Sequence, residues 1–287
     1  MWSFAEKHWA EKIVQLALAE DVGRGDITTT AVIGPDAIAR GSIVFREQGV
    51  LAGLPVVEMV YGMLDDRVRI VPLRRDGDVL LAGESAARVE GPASAILTGE
   101  RVALNFLQRL SGAATITAEL VELVRPHPCQ VVDTRKTSPG MRVLEKYAVR
   151  VGGGRNHRLG LDDAILIKDN HVIAAGGIAK AVAAARAKAP LTARIEVEAE
   201  SREQVEEALD AGVDIIMLDN MEVGKMAQMV ALINGRALVE ASGGITRDNI
   251  ASVAAAGVDC ISVGAITHSS RALDVALDLE VIAKDAE

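Results

Sequence analysis

Six places in this 287-residue chain put residues that a core would reject directly after a short apolar run. They are Asp133-Thr134-Arg135-Lys136-Thr137, Lys168-Asp169-Asn170-His171, the alternating Glu196, Glu198 and Glu200, Asp219-Asn220, Glu240 followed by Ser242-Gly243-Gly244, and Ser262 with Gly264. Taken singly, a charged residue after a strand only marks where the chain meets water. Six such ends, alternating cationic and anionic, form a ring of both signs. That ring suits a substrate with several anionic groups accompanied by a divalent metal. Glu198 and Asp219 end neighbouring apolar runs, so they can share a magnesium ion (Mg2+) or hold sugar hydroxyls. An ion pair from Lys168 or Arg135 is compatible with either.

Between the first two of these ends lies a basic segment with Arg142, Lys146, Arg150, Gly152-Gly153-Gly154, Arg155, Asn156, His157 and Arg158. Lys146 and Arg150 are expected on the wet face of a helix around Leu144–Val151. His157 and Arg158 follow the glycine run, where backbone approaches a ligand closely. A guanidinium there can grip a carboxylate in a bidentate pair, while His157 also fits a purely structural role. Ser242-Gly243-Gly244-Ile245-Thr246 reads as a phosphate loop, with two glycines between a strand and a helix and free amides turned outward. Val263-Gly264-Ala265 after the next strand supplies a second close approach, and the last two strands of β/α barrels often share a phosphate in this way.

These residues need a scaffold that brings strand ends to one face. The apolar runs Gln130–Asp133, Ala164–Ile167, Arg194–Val197, Asp214–Leu218, Ala237–Glu240 and Cys260–Val263 read as strands. Helical stretches at Ile178–Ala189, Glu203–Ala211, Val223–Ile233 and Arg247–Ala256 separate the later ones. Ser201, three residues before Gln204, predicts a capping box, and Thr246 a further N-cap. Alternation of this kind implies right-handed crossovers and a parallel sheet, here an incomplete six- or seven-stranded β/α barrel over residues 113–270.

Residues 1–112 read as a separate α+β domain. A helix from about Phe4 to Glu20 carries Phe4, Trp9, Ile13, Leu16 and Leu18 as its apolar stripe. Short strands follow at Gly41–Phe45, Val50–Ala52, Val68–Val71 and Ala86–Glu90, and a helix after Pro92 runs to about Leu110.

Composition narrows the class. Apolar residues make up 49% of the chain but aromatics only 2%, so aliphatic side chains fill the core, as helices packed on a parallel sheet require. A net charge of −9 argues against a nucleic-acid or anionic-membrane surface, so any anion site is a local concentration of cations. Cys129 and Cys260 have neither metal-type spacing nor a disulfide framework. The Met1–Lys7 segment lacks a secretory apolar run, and no stretch is long enough to span a bilayer. These features place the chain in the cytoplasm as an expectation.

Taken in order, Glu20–Thr28, Glu100–Asn105, Asp133–Thr137, Gly152–Leu161, Leu166–His171 and Glu240–Ile245 resemble the quinolinate phosphoribosyltransferases, from about residue 13 to residue 275. Asp133–His171 is the most specific part. The departures, at Ser138, Met141 and Val151, remove no charged group. The resemblance implies an N-terminal α/β sandwich joined by the C-terminal tail (271–287) and an α/β barrel bearing the active site. It implies a homodimer with shared sites, dimers that can assemble further into hexamers, and Arg101 reaching the neighbour's site. By the same resemblance, Arg135, His157, Arg158 and Lys168 contact quinolinate, with Thr134 beside them. Lys136 and Lys168 lie near phosphoribosyl pyrophosphate. Glu198 and Asp219 meet ribose and magnesium, and Ser242, Gly243, Gly244, Val263, Gly264 and Ala265 hold the 5′-phosphate. Lys136, Lys168, Glu198 and Asp219 are the expected catalytic residues. A monocarboxylate acceptor such as nicotinate would need fewer cations. A non-catalytic sensor of a phosphorylated metabolite would not need Glu198 and Asp219 opposite them.

Overall fold

The computed structural model describes residues 2–281. In chain order its elements are α1 (Phe4–Val22), α2 (Ile27–Val32), β1 (Ile38–Phe45), β2 (Gly49–Val50), α3 (Leu54–Leu64), β3 (Arg69–Pro72), β4 (Val79–Leu80), β5 (Ser85–Pro92) and α4 (Ala93–Val124). Then come β6 (Gln130–Val132), α5 (Arg142–Val151), β7 (Ile165–Ile167), α6 (Asp169–Ala175), α7 (Ile178–Lys188), β8 (Ile195–Ala199) and α8 (Arg202–Asp210). The chain ends with β9 (Ile215–Asp219), α9 (Val223–Ile233), β10 (Leu238–Ser242), α10 (Ile250–Ala255), β11 (Cys260–Ser262), α11 (Ala265–His268) and β12 (Val275–Val281).

Two compact units emerge, and they do not follow a single cut in the chain. The first comprises Met1–Ala118, Ser138–Gly153 and Ile266–Glu287, and the second Glu119–Thr137 and Gly154–Ala265. A division at residue 112 leaves α5 with the barrel. Its apolar face instead sends Leu144 and Ala148 into the core of the first unit, beside Phe45, Tyr61, Leu107 and Leu110. Lys146 on the same helix is only 1% exposed, against the wet-face expectation. Arg150 does reach the surface, where it pairs with Glu6.

The first unit is built on an antiparallel sheet in the order β12-β1-β5-β3. Strand β12 pairs along β1 from Phe45↔Val275 to Ala39↔Val281, so the C-terminal segment completes this sheet. Residues 282–287 of the expected tail lie outside the described residues. Helix α1 buries Ala10, Val14 and Leu18, an i, i+4, i+8 stripe. The larger apolar residues that suggested its buried face point elsewhere: Phe4 is 88% and Leu16 71% exposed, and Trp9 is exposed too. Helix α4 runs fourteen residues past Leu110 because Gly112 is a packing residue and not a stop. A Cβ there would lie 1.8 Å from the carbonyl oxygen of Arg271.

Glu47 fastens the C-terminal segment to the loop after β1. It accepts from Arg271 Nη1 at 2.7 Å and from the Asp274 N–H at 2.8 Å. The Arg271 hydrogen bond and the Asp274 N–H hold the Glu47 pKa down at about 2, well below its ordinary 4.5. A depressed carboxyl stabilises the fold above its unfolded pKa and loses that contribution as pH falls toward the folded one. Between about pH 4.5 and 2, Glu47→Gln should therefore flatten the acid limb of the stability profile. Urea midpoints measured down that range check it, and parallel profiles for the two proteins would remove Glu47 from the account.

In the second unit all neighbouring strands are parallel, in the order β6-β11-β10-β9-β8-β7. Strands β6 and β7 stand at opposite edges. Arg155 adds one isolated parallel bridge to Val132 at the β6 edge. Six strands without closure match the incomplete barrel. The period of two along the strands sorts the side chains. On β8, Ile195, Val197 and Ala199 are fully buried against the helical layer, where α7 and α8 bury Ile178, Val182, Val205 and Ala208. Glu196 and Glu198 therefore face the other side. Ser201 caps α8 by accepting the Gln204 N–H, but the Gln204 side chain reaches the Glu200 N–H, so the box is only half formed. Helix α10 starts at Ile250 and not near Arg247. Thr246 is no cap, and its N–H instead donates to Asn249. Among the described residues no helix is long and apolar enough to cross a membrane.

Candidate active site

The strand register decides which residues share the inner face. Glu198 is level with Met217, Met217 with Glu240 and Glu240 with Cys260, while Asp219 is level with Ser242. At the carboxyl ends of these strands lies a cavity of about 500 Å³, lined by Thr134, Arg135, Lys136, His157, Arg158, Leu166, Lys168, Glu198, Met217, Asp219, Asn220, Glu240, Ser242, Gly243, Gly244 and Ser262. Every one of these residues belongs to the second unit.

Two guanidiniums share the cavity wall. Arg158 follows β6 by way of the glycine run and is anchored by Nη1 donating to the Ala164 carbonyl at 3.1 Å. Burial pushes its pKa down, and the neighbouring Arg135 charge pushes it further. Arg135 Nε is buried without a hydrogen-bond partner. Like charges so close, one with an unpaired donor, are unfavourable until an anion lies between them. Five buried side-chain polar atoms among the described residues lack a partner: Trp2 Nε1, Arg135 Nε, Glu196 Oε1, Glu240 Oε1 and Ser262 Oγ. Four of these belong to the inner face of the second unit or its cavity, which marks a place built for polar groups the chain does not itself supply.

Lys168 sits at the β7–α6 junction, where its N–H donates to the His171 ring at 3.0 Å. Its Nζ lies 2.9 and 3.1 Å from the two oxygens of Glu198, the ion pair anticipated across the mouth. Asp219 ends β9. Burial and then the Glu198 charge push its pKa up, and the Asn220 amide donating at 2.7 Å opposes this. Asn220 has a left-handed φ of 51°, a conformation asparagine tolerates better than most residues.

Ser242-Gly243-Gly244 lines the cavity as a loop in its own right. Both glycines have positive φ, 85° and 62°. Asn249 ties the loop by donating to the Gly244 carbonyl at 2.9 Å. Because α10 begins only at Ile250, the amides here belong to the loop and not to a helix end. The other expected phosphate residues are placed differently. Val263 is buried, and neither it, Gly264 nor Ala265 lines the cavity. Arg101 lies exposed on α4 in the first unit.

His157, expected in the site, meets buried carboxyl groups that motif reading left out of it. Asp133, fully buried, accepts the His157 N–H at 2.9 Å and the Asn156 amide. The His157 ring accepts the Arg158 N–H at Nδ1 (2.8 Å), which leaves its proton on Nε2. Nε2 lies 3.1 Å from Glu196 and 3.4 Å from Glu240. Burial disfavours charge on the ring, whereas the hydrogen bonds and charges of the two carboxylates favour it and push its pKa up. The Arg158 N–H opposes that second proton, since it needs a lone pair at Nδ1. The geometry therefore describes a singly protonated ring. Burial, followed by the Glu240 charge, pushes the Glu196 pKa up as well. The signal for this cluster was present as the Glu-x-Glu alternation on a buried strand. Its convergence on His157 was not.

A parallel β/α unit with paired cations and a glycine loop at its strand ends belongs to the class that binds anionic, phosphorylated metabolites there. The particular family follows from likeness to known proteins. Residues 26–111 match the quinolinate phosphoribosyl transferase N-terminal domain and residues 113–278 its C-terminal domain, so the chain belongs to the quinolinate phosphoribosyl transferase family. It is 42% identical to the probable nicotinate-nucleotide pyrophosphorylase [carboxylating] of Bacillus subtilis, over 96% of each chain. It is 44% identical to the nicotinate-nucleotide pyrophosphorylase [carboxylating] of Mycobacterium leprae, over 97% of this chain and all of that one. The crystal structure of NadC from Streptococcus pyogenes superposes with a TM-score of 0.92 at 44% identity, covering 96% of this chain and 98% of that one.

Proposed function

We infer that this chain is a quinolinate phosphoribosyltransferase: it joins quinolinate to phosphoribosyl pyrophosphate, giving nicotinate mononucleotide, carbon dioxide and pyrophosphate in NAD biosynthesis. The observation that carries the reading is the Arg135–Arg158 pair on one cavity wall, a charge arrangement that a twice-ionised pyridine diacid neutralises. In this reading each guanidinium takes a carboxylate, and Gly243-Gly244 approaches the 5′-phosphate of the second substrate. The resemblance extends that contact to Val263–Ala265, although those residues do not line the cavity.

Transfer of a ribosyl group develops positive charge on the sugar, so the site acts by positioning and electrostatics. Glu198 and Asp219 favour that charge, and Lys136 favours the departing pyrophosphate. Once ribosylated, the pyridine nitrogen is cationic and stabilises the electron pair left at carbon 2 as carbon dioxide leaves. A shielded, low-dielectric site would assist that loss. Glu198 and Asp219 fit a divalent cation: both line the cavity, and the repulsion that raises Asp219 is relieved by positive charge between them. Magnesium held there would take one or two carboxylates plus substrate oxygens and balance the pyrophosphate charge.

We read the assembly as a cytoplasmic homodimer with shared sites. Arg101, exposed on α4, would serve the neighbour, and the exposed Phe4 and Leu16 offer apolar surface for association. Pyrophosphate release is the test, with quinolinate, nicotinate or no acceptor and with magnesium present. Release with quinolinate alone is expected, and equal release with nicotinate would overturn the acceptor assignment. Sedimentation of the same preparation reads the oligomer, and a monomer at full activity would remove Arg101 from the site.

A further inference from the structure

The proposed activity explains Arg158 but not why the barrel interior buries two glutamates beneath it. Glu196 and Glu240 are 3% and 2% exposed, and each keeps one oxygen without a partner. They come from β8 and β10, with β9 between them. Burying two carboxyl groups is unfavourable unless the arrangement serves something else. His157 and Glu240 reach the cavity lining themselves, and the ring connects Glu196 to it. Both ring nitrogens of His157 are engaged by the protein, Nε2 by the two carboxyl groups and Nδ1 by the Arg158 N–H. Its own N–H is held by buried Asp133. A ring so engaged has no nitrogen left to direct at a diacid. What it does hold is the backbone of the residue whose guanidinium lines the cavity.

Resting on the proposed function, we propose that Glu196 and Glu240 are positioning residues for the acceptor. Together they fix the His157 ring, and the ring's Nδ1 fixes Arg158. His157 then acts on quinolinate through Arg158 and not by direct contact. A positioning chain of this kind concentrates its effect on one substrate, because it ends on the Arg158 N–H, whereas the glycine loop after β10 is tied separately by Asn249 and Lys136 follows β6.

The test is calorimetric titration of quinolinate into the intact enzyme, which needs no turnover. Glu240→Leu removes one of the two carboxyl groups that hold Nε2, frees the ring to shift toward Glu196, and is expected to weaken quinolinate binding about 10- to 100-fold, as a displacement near 1 Å does. Phosphoribosyl pyrophosphate binding should weaken by a smaller factor, because the Ser242-Gly243-Gly244 loop keeps its own ties to Asn249 and Asn220. Glu240→Gln keeps an acceptor oxygen and the volume, and should restore quinolinate affinity to within about 3-fold of the parent. In an Arg158→Ala background, Glu240→Leu should have almost no further effect. Additive losses, or equal losses for both substrates, would overturn the positioning role. Should Glu240→Leu not fold, nitrogen chemical shifts of His157 in the unaltered enzyme decide instead. A proton on Nε2 and a lone pair on Nδ1 uphold the proposal, and a proton on Nδ1 overturns it. An unaltered enzyme that binds quinolinate without releasing pyrophosphate would sink the activity and leave this test in force. One that binds no quinolinate would end both.

Discussion

Replacing Arg135 by alanine is expected to weaken quinolinate binding by about 2–4 kcal/mol, roughly 30- to 700-fold in Kd. The size follows from the surroundings. Arg135 and Arg158 line one cavity, and Arg135 Nε is buried without a partner, so part of the guanidinium is already desolvated before any ligand arrives. An anion that enters recovers a charge-assisted pair at a donor whose desolvation is already complete. Removing Arg135 also relieves the repulsion on Arg158, whose pKa should move back up toward its ordinary value. That relief gives the substitution a signature beyond lost affinity. Sulfate or another simple anion should compete for the pair in the parent and compete far less in the variant. Isothermal titration with quinolinate and, separately, with phosphoribosyl pyrophosphate is the measurement. A parent-like quinolinate Kd would remove Arg135 from the acceptor site.

Gly243→Ala should produce the complementary result. Gly243 has φ 85°, and an added Cβ would meet Asn220 Oδ1 at 2.2 Å and Asn220 N at 2.9 Å. The side-chain oxygen can rotate away, but the backbone nitrogen cannot, because it donates to the Ser242 carbonyl at 2.9 Å. Alanine in a left-handed conformation costs about 1–2 kcal/mol on its own, and the collision forces the loop or Asn220 to move. Asn220 in turn holds Asp219 through its amide. Loss of about 1–3 kcal/mol in phosphoribosyl pyrophosphate affinity is expected, roughly 5- to 150-fold, with quinolinate affinity nearly preserved. The two substitutions thus divide the substrates between them. If Gly243→Ala weakened quinolinate as much as the sugar phosphate, the loop would not be the phosphate site.

Much of the site could be read from residue order because its chemistry sits at strand ends. Lys168, Glu198, Asp219 and Ser242 each close an apolar run, and a parallel sheet delivers such ends to one face whatever its details. The same logic placed Arg135 and Arg158 there. Val263, Gly264 and Ala265, where the chain turns into α11, lie outside the cavity lining, and at Thr246 the expected cap gives way to Asn249, which does the tying. Lys146 was misplaced because charge suggests solvent, whereas α5 presents that side chain to the interior. Phe4 and Leu16 were misplaced because size suggests burial, whereas α1 buries the narrower Ala10 and Val14 face.

The order of residues by itself determined the alternating strands and helices, the turns that only glycine tolerates and the clustering of cations on an acidic chain. Each of these depends on neighbours within a few positions, where period and side-chain chemistry are already expressed. Only the tertiary structure decided that α5 joins the first unit, that Gly112 lies under the Arg271 carbonyl, and that Glu196 and Glu240 converge on His157. Those outcomes depend on the pairing of segments up to 159 positions apart, between Gly112 and Arg271. The spatial register of strands and helices sets such pairings, and no local pattern encodes it.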